Sequence, residues 1–529
     1  MLEYADATAA ASPGAESTAS SEQIEVPAAL SELLKQRFGL PTDYPTDEEV
    51  TDDEPTDANT VEEVTPEERR VAGVQAALQW LAARALKQSQ QAGVDKELLD
   101  LIDETIAQLD RDLSKQLSLI MHHEDFTKLE GSWRGLQHLV DNSETSPELE
   151  IRVLNISKEE LYRTSKDNQA HNKWDQSPLF RRIYEEEFGM PGGHPFGCLI
   201  GDFAFSHEPQ DLVVLRYMAK IAAAAHCPFI AAASPRLLDM KSWQSLRDRP
   251  ALANIFQSDE YNAWRTFRES EDSRFIGLTM PRFLARLPYD PVTNPAEGFA
   301  FRETDGGMDH THYVWCNAAY AMGANIARAH SVHGWCAQIR GLESGGIVEE
   351  LPMHTFPTDD GGVDTKVPTE IGITDRREGE LSSLGLIPLS YFKRSDYAAF
   401  ISAQSVQIPK KYHDDPDATS NANLSARLPY IFTSCRFAHY LKCFVRDKIG
   451  SSFSKQSITT MLNDWIQGYA TETPGGDTKR PLRSAHVELQ DDPLNPGYYH
   501  AQFSLLPHFQ LEGMTIALSL VSRLPRDRK

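Results

Sequence analysis

No stretch of this 529-residue sequence is apolar for long enough to cross a bilayer. The best candidate, IAAAAHCPFIAAAS (221–234), is too short, and His226 and Pro228 interrupt it. The opening MLEYADATAAASPGAES has neither a basic start nor an apolar h-region, so no secretory signal is expected. Cysteine is scarce as well. The six (Cys198, Cys227, Cys316, Cys336, Cys435, Cys443) contain no CxxC pair and sit mostly inside apolar stretches. That excludes a disulfide framework and fits buried thiols of a reducing, cytoplasmic compartment. Positive charge is also short, with 52 Lys and Arg against 77 Asp and Glu, a net of −25. Nucleic acid is a poor partner for such a chain, because a phosphate backbone needs a basic footprint.

The acid is unevenly placed. Residues 1–68 hold 18 acidic and two basic residues, and DYPTDEEVTDDEPTDANTVEEVTPEE (43–68) has twelve acids and no base. Such a segment cannot bury enough apolar surface to offset its ordering entropy, so residues 1–65 read as a flexible, disordered acidic arm. Within it a short amphipathic helix is expected over 28–38, where Leu30, Leu33, Leu34 and Phe38 follow helical spacing and Gly39 with Pro41 supplies a stop. A recognition helix and an accidental transient one both fit.

What is abundant is pattern. Residues 66–122 read as helical throughout, and in LLDLIDETIAQLDRDLSKQLSLIMH the residues Leu99, Ile102, Ile106, Leu109, Leu113, Leu117 and Ile120 form a stripe. The stripe packs either on this chain's own body or on another subunit. Beyond it strands and helices mix. FGCLIGDFAF (196–205), the helix PQDLVVLRYMAKIAAAAH and PFIAAAS (228–234) read as a βαβ unit with a parallel sheet. RFIGLTMPRF (274–283) adds a strand, THYVWCNAAYAMGANIARAHSV (311–332) a long helix, and LGLIPLSYF and AAFISAQSVQI a further section. Helices are expected over 428–450 and 457–470, then strands SAHVELQD and YYHAQFSLLPHF and a last strand in MTIALSLVSRLP. The fold class is therefore α/β, with mixed sheets and βαβ units behind an N-terminal helical segment. At this length two or three domains are expected, and the divisions fall at 1–65, 66–122, 123–370 and 371–529.

Catalytic devices are missing. Neither GxxxxGK[ST] nor GxSxG occurs, and the glycines of GMPGGHPFG (189–197) precede a strand, whereas a phosphate loop follows one. Three sets invite a metal. His330, His333 and Cys336 step around a helix at about 300° per three residues, so His330 and Cys336 face different ways unless Gly334 breaks the helix. Cys435, His439 and Cys443 share a face but span about 12 Å of rise, too far for one zinc with bonds near 2.3 Å. Asp309, His310 and His312 lie in a loop and read more readily as interface polar groups. TDRREGELSSLGLIPL (374–389) reads as a solvated turn with local charge pairing or as an inter-subunit salt-bridge surface. No nucleophile, base, cofactor or metal is assigned, which points to an assembly protein; a metal-dependent hydrolase using Asp309, His310, His312, His330 and His333 is the enzymatic rival.

Longer motifs say more. HEDFTKLEGSWRGLQHLVDN (123–142), FGCLIGDFAFSH, ESGGIVEELPMHTF (343–356), PTEIGITDRREGELSSLGLIPLSYFKRSDYAAFISAQSVQIPKKY and NPGYYHAQFSLLPHFQLEGMTIALSLVSRLP resemble, in order from about residue 65 to 527, the large sheath subunit of the bacterial type VI secretion system, the TssC/VipB family. The acidic arm is longer than that family leads one to expect. The resemblance implies a contractile-sheath-type core and a mechanism without covalent chemistry. Heterodimers with a small sheath subunit (TssB/VipA-like) stack helically around an inner tube protein above a baseplate. The metastable sheath shortens to drive the tube, and an AAA+ unfoldase (ClpV-like) takes the contracted form apart. It further implies that the 66–121 helices, with Leu99, Ile102, Ile106, Leu109, Leu113 and Leu117, meet the small subunit. The strand Met514, Thr515, Ile516, Ala517, Leu518, Ser519 and Leu520 adds to a sheet shared with neighbouring copies, and Leu30, Leu33, Leu34 and Phe38 are candidates for the unfoldase. A phage-tail or tailocin sheath is the related alternative.

Overall fold

The computed structural model describes residues 98–508, apart from interruptions at 171–172, 250–251, 253, 305–308, 359, 449–454, 473–478 and 492–498, together with three isolated positions before residue 98. The acidic arm, the helix expected over 28–38 and the strand expected over 514–520 lie outside the described residues. The chain divides into two compact units, residues 1–117 with 290–302 and residues 118–289 with 303–529.

The first unit holds most of helix α1 (Leu98–Met121). Its loop closes on Asp290, whose Oδ1 accepts from the N–H groups of Val292 and Thr293 at 2.9 and 3.3 Å. The Arg302 N–H donates to Ser114 Oγ at 3.3 Å, which ties the end of that loop to the helix.

The second unit opens with helix α2 (Glu124–Asp141). His123 caps it by accepting from the Asp125 N–H, and Glu124 and Asp125 in the first turn suit the positive end of the helix dipole. Helix α3 (Lys158–Ala170) follows, then a nine-residue π-helix, Arg181–Gly189. The expected βαβ unit is present as β1 (Leu199–Phe205), α4 (Pro209–Ala225) and β2 (Phe229–Ala233), with β1 and β2 parallel and Leu199 opposite Phe229. Pro209 begins α4, and His226 ends it in the left-handed conformation.

Strand β3 (Ile276–Met280) continues the parallel set beside β2. Two short pieces, β4 (Phe283–Leu284) and β5 (Trp315–Cys316), pair antiparallel. Helix α5 (Ala318–His333) therefore starts later than the sequence pattern suggests: the Asn317 side chain accepts from the Ala319 N–H and sets the first turn there. After β6 (Ile347–Val348) and the hairpin β7 (His354–Pro357) with β8 (Val363–Lys366), residues read as a solvated turn form helix α6 (Asp375–Ser383). Its Arg376 and Arg377 both reach Glu380, at 3.0 and 2.7 Å, so the local pairing is real but helical. Strands β9 (Ile387–Tyr391) and β10 (Ala398–Phe400) complete a six-stranded mixed sheet in the order β1-β2-β3-β9-β10-β6. The boundary expected at residue 370 falls inside this sheet, because β9 hydrogen-bonds directly to β3 with Thr279 opposite Ile387.

Both faces of the sheet are covered, which is why β2 and β3 are buried throughout rather than alternating. Phe229, Ala231, Ile276 and Leu278 join the core with α4, while Ile230, Ile387 and Leu389 join the opposite core with α5. Helices α7 (Pro416–Ser425), α8 (Leu428–Lys448) and α9 (Lys455–Gln467) follow, and Leu428, Ile431 and Cys435 of α8 enter that second core. The chain then forms β11 (Leu482–Asp491) and β12 (Tyr499–Pro507), an antiparallel pair. Asn463 of α9 exchanges two hydrogen bonds of 3.0 Å with the Val487 backbone, and Gln467 donates to Ala485 O at 2.6 Å. Side-chain amides thereby satisfy Ala485 O and both backbone groups of Val487 in β11.

Gly277 is a tight point of the second core. A Cβ there would sit 2.7 Å from Ile230 Cδ1 and 3.0 Å from Leu428 Cδ1. Gly277→Val is expected to lower stability by about 1–3 kcal/mol through overpacking, read as a shift in the urea midpoint; an unchanged midpoint would show that the core yields at this point.

Candidate assembly surfaces

The stripe of α1 is exposed. Ile106 and Leu113 keep 41% and 49% of their surface, and Leu109 and Leu117 are half-buried. Among the described side chains of this helix the buried ones are Thr105, Ser114 and Met121. They flank the stripe on its two sides and leave Ile106 and Leu113 between them exposed. The side chains of Leu99 and Ile102 lie outside the described residues.

Helix α2 repeats the arrangement, and here the sequence reading missed it. Phe126, Leu129, Trp133, Leu136 and Val140 follow strict 3-4-3-4 spacing, and Phe126, Leu129, Trp133 and Val140 are 40%, 57%, 66% and 43% exposed. The inward face is Gly131, Gly135 and Leu139. A Cβ on Gly131 would stand 2.7 Å from Trp315 O, and one on Gly135 would enter the Tyr320 ring, so α2 lies close against β5 and α5. The spacing was visible in the sequence; the two glycines, poor helix formers, obscured it.

Charged side chains pin this region from inside. Glu130 of α2 accepts from Arg134 at 2.7 Å and from Arg286 at 2.6 Å. Arg286 also donates to both oxygens of Glu303, at 2.6 and 3.0 Å. Glu303 further accepts from the Tyr289 N–H at 2.8 Å, with His122 Nε2 at 3.3 Å. Burial works against the charged form of Glu303, but His122, Arg286 and the Tyr289 N–H outweigh it and bring its pKa down to about 2. A second cluster follows the same logic. Arg282 donates to both oxygens of Glu370, at 3.0 and 2.7 Å, and His310 Nε2 lies 3.3 Å from it. There too burial is outweighed, by His310 and Arg282, and Glu370 falls to about 2.

The residues that invited a metal have other work. His310 stacks on Trp315 beside Glu370, and His312 stacks on His122 with ring centroids 4.6 Å apart and lies 3.6 Å from Asp309. His330 and His333 occupy the last turn of α5, which Gly334 ends in the left-handed conformation, and His330 Nε2 lies 3.4 Å from Glu148 O. Cys336 packs at the margin of the second core. His439 is buried with Nε2 3.0 Å from Ala225 O, and burial pushes its pKa down to about 4, while Cys435 is a core residue. Among the described residues no group of three His, Cys, Asp or Glu side chains could hold a metal ion. Nor, among them, is any helix long and apolar enough to cross a membrane.

A family model for the EvpB/VC_A0108 tail sheath N-terminal domain (VipB) matches residues 103–407, and one for the tail sheath gpW/gp25-like domain matches residues 417–524. The chain belongs to the VipB tail-sheath family. Among relatives, the type VI secretion system sheath protein TssC1 of Pseudomonas aeruginosa strain PAO1 is 54% identical over 467 residues, covering 87% of this chain and 93% of that protein. The chain is accordingly a large subunit of a type VI secretion contractile sheath, a structural protein and not an enzyme, and the phage-tail, tailocin and hydrolase alternatives give way to that family. Two solved structures match at 10% identity: the anti-feeding prophage baseplate (TM-score 0.32, 60% of this chain and 66% of that chain) and its contracted helical sheath (TM-score 0.31, 59% and 67%). At that level neither bears on the assignment.

Arg286→Ala leaves two buried carboxylates without their shared cation, and a loss of about 3–5 kcal/mol is expected at neutral pH, measured by urea denaturation; a loss below 1 kcal/mol would mean that the cluster is not a structural tie. Acid tests the same groups. Because Glu303 and Glu370 titrate near 2 when folded and near 4.5 otherwise, each contributes on the order of 3 kcal/mol that is complete above about pH 5 and is lost as pH falls toward 2. Glu303→Gln should flatten that slope, and an equal slope in the variant would assign the acid sensitivity elsewhere.

Proposed function

We propose that this subunit pairs through α1 with a small sheath subunit of the TssB/VipA type, and that the heterodimers stack in the cytoplasm as helical rings around an inner tube protein, seated on a baseplate. The observation that carries this is the seam of α1 on which Ile106 and Leu113 are exposed and Leu109 and Leu117 half-buried. Fully burying an aliphatic side chain contributes about 1.5–3 kcal/mol, so a partner helix along the seam gains enough to make pairing stable. The stripe's other residues, Leu99 and Ile102, extend the same pattern toward the N-terminus.

Contraction in this reading is a change between two arrangements of interfaces joining rigid subunits, with free energy stored at assembly and released cooperatively. A strand at Met514–Leu520 would link neighbouring copies by adding to a sheet edge. The support is local: Asn463 and Gln467 occupy the β11 backbone at Val487 and Ala485, while β12 has one strand neighbour among the described residues. Leu30, Leu33, Leu34 and Phe38 are proposed to present the helix that a ClpV-like AAA+ unfoldase engages on the contracted form.

Electron microscopy of high-speed pellets from cells co-expressing this chain with a small subunit tests the pairing. Hollow tubes are expected only with both chains present, and tubes from this chain alone would overturn the two-component reading. Ile106→Asp and Leu113→Asp each place a charge in the seam and are expected to abolish co-purification with the small subunit; unchanged co-purification in both would move the interface off α1.

A further inference from the structure

We propose that the outward face of α2 docks a helix of a second sheath polypeptide, one with an aliphatic seam and basic residues toward its two ends. The proposal rests on the sheath reading and concerns a surface distinct from the α1 seam. Phe126, Leu129, Trp133, Leu136 and Val140 repeat at alternating steps of three and four. That is the narrow stripe that meets another helix, narrower than the apolar face a globular core covers. Trp133 lies at its centre and is two-thirds exposed, and exposed tryptophan is the residue type that anchors interfaces.

The helix cannot turn the seam inward. Its opposite face is fitted to β5 and α5 at Gly131 and Gly135, where even a Cβ has no room. Glu130 is held on the inner side by Arg286, and the neighbouring turn by the contact of His122 with Glu303. The seam is thus presented on a fixed element, ready for a partner without rearrangement.

Charge selects the partner. Asp125 stands exposed at the start of α2, and Asp141, Glu144 and Glu148 are exposed at and after its end. The cations nearby are committed: Lys128 to Glu124 at 2.7 Å, Arg134 to Glu130 at 2.7 Å, and Arg152 to Glu150 and Glu187 at 3.0 and 2.5 Å. A second copy of α2, parallel or antiparallel, would bring acid against acid at both ends. The chain's own first 68 residues, with 18 acids and two bases, are repelled in the same way. A helix with basic ends is attracted, and its register along the seam is set by those ends.

The test uses the full-length chain co-expressed with the small subunit, carrying the photo-crosslinker benzoylphenylalanine at position 129 on the seam or at the exposed position 128, which faces away from it. The expected result is an adduct from position 129, and not from 128, mapped by mass spectrometry to a helical segment of the other chain with basic residues near its ends. Adducts only within the same chain, only to a second copy, or none at all would overturn the proposal. Trp133→Asp should reduce the 129 adduct about tenfold or more while thermal unfolding stays as in the wild type, since the side chain is largely exposed. Asp125→Lys with Asp141→Lys should reduce it too; an increase would identify an acidic occupant and overturn the charge argument. Adducts at 129 that persist in Ile106→Asp separate this contact from the α1 pairing, so one can fail without the other.

Discussion

Arg286 joins parts of the chain that lie far apart in sequence. Its guanidinium meets Glu130 of α2 on one side and Glu303 on the other, with Tyr289 against its face. Removed from most of the water, such a group is stable only when its donors are all spoken for, and the geometry that achieves this leaves α2 one position. The glycines of α2 enforce the same position by contact: the helix approaches Trp315 and Tyr320 more closely than any side chain permits. Charge and packing therefore agree on where α2 sits, and its outward face follows from that.

A sheath subunit has to be stiff inside and adhesive outside. The six-stranded sheet, buried on both faces between α4 on one side and α5 and α8 on the other, supplies the stiffness. Exposed apolar side chains lie on the helical faces of α1 and α2. This division suits a lattice that switches, because bistable interfaces transmit force only between bodies that do not deform themselves. The histidines at 310 and 312 belong to the stiff part, as partners of Glu370 and Asp309 within the body.

Local periodicity made much of the fold legible. The βαβ unit, the strands at β3, β11 and β12 and the helices α8 and α9 follow directly from apolar runs and their punctuation. The late start of α5 was legible only in part, since Asn317 is a good cap but the apolar run before it extends the helical pattern. The stripe on α1 was found by counting, whereas its exposure could not be: the same spacing describes a helix buried on its own body and one awaiting a partner. Helix α6 was misread as a turn because its charges outnumber its apolar residues, and its single fully buried side chain, Leu381, is too little to show as a pattern.

The amino-acid order alone determined the α/β class, the acidic N-terminal segment and, through its long motifs, the resemblance to the sheath family, because composition, charge, motifs and helical or strand periods are local properties. Only the tertiary structure decided which apolar stripes stay outside and which carboxylates share a cation. Glu130 and Glu303 are 156 and 17 residues from Arg286, and nothing in the spacing of such residues records that they meet. The exposure of the α2 seam is likewise a consequence of what fits against the other side of the helix, which is a property of Trp315 and Tyr320 as much as of α2 itself.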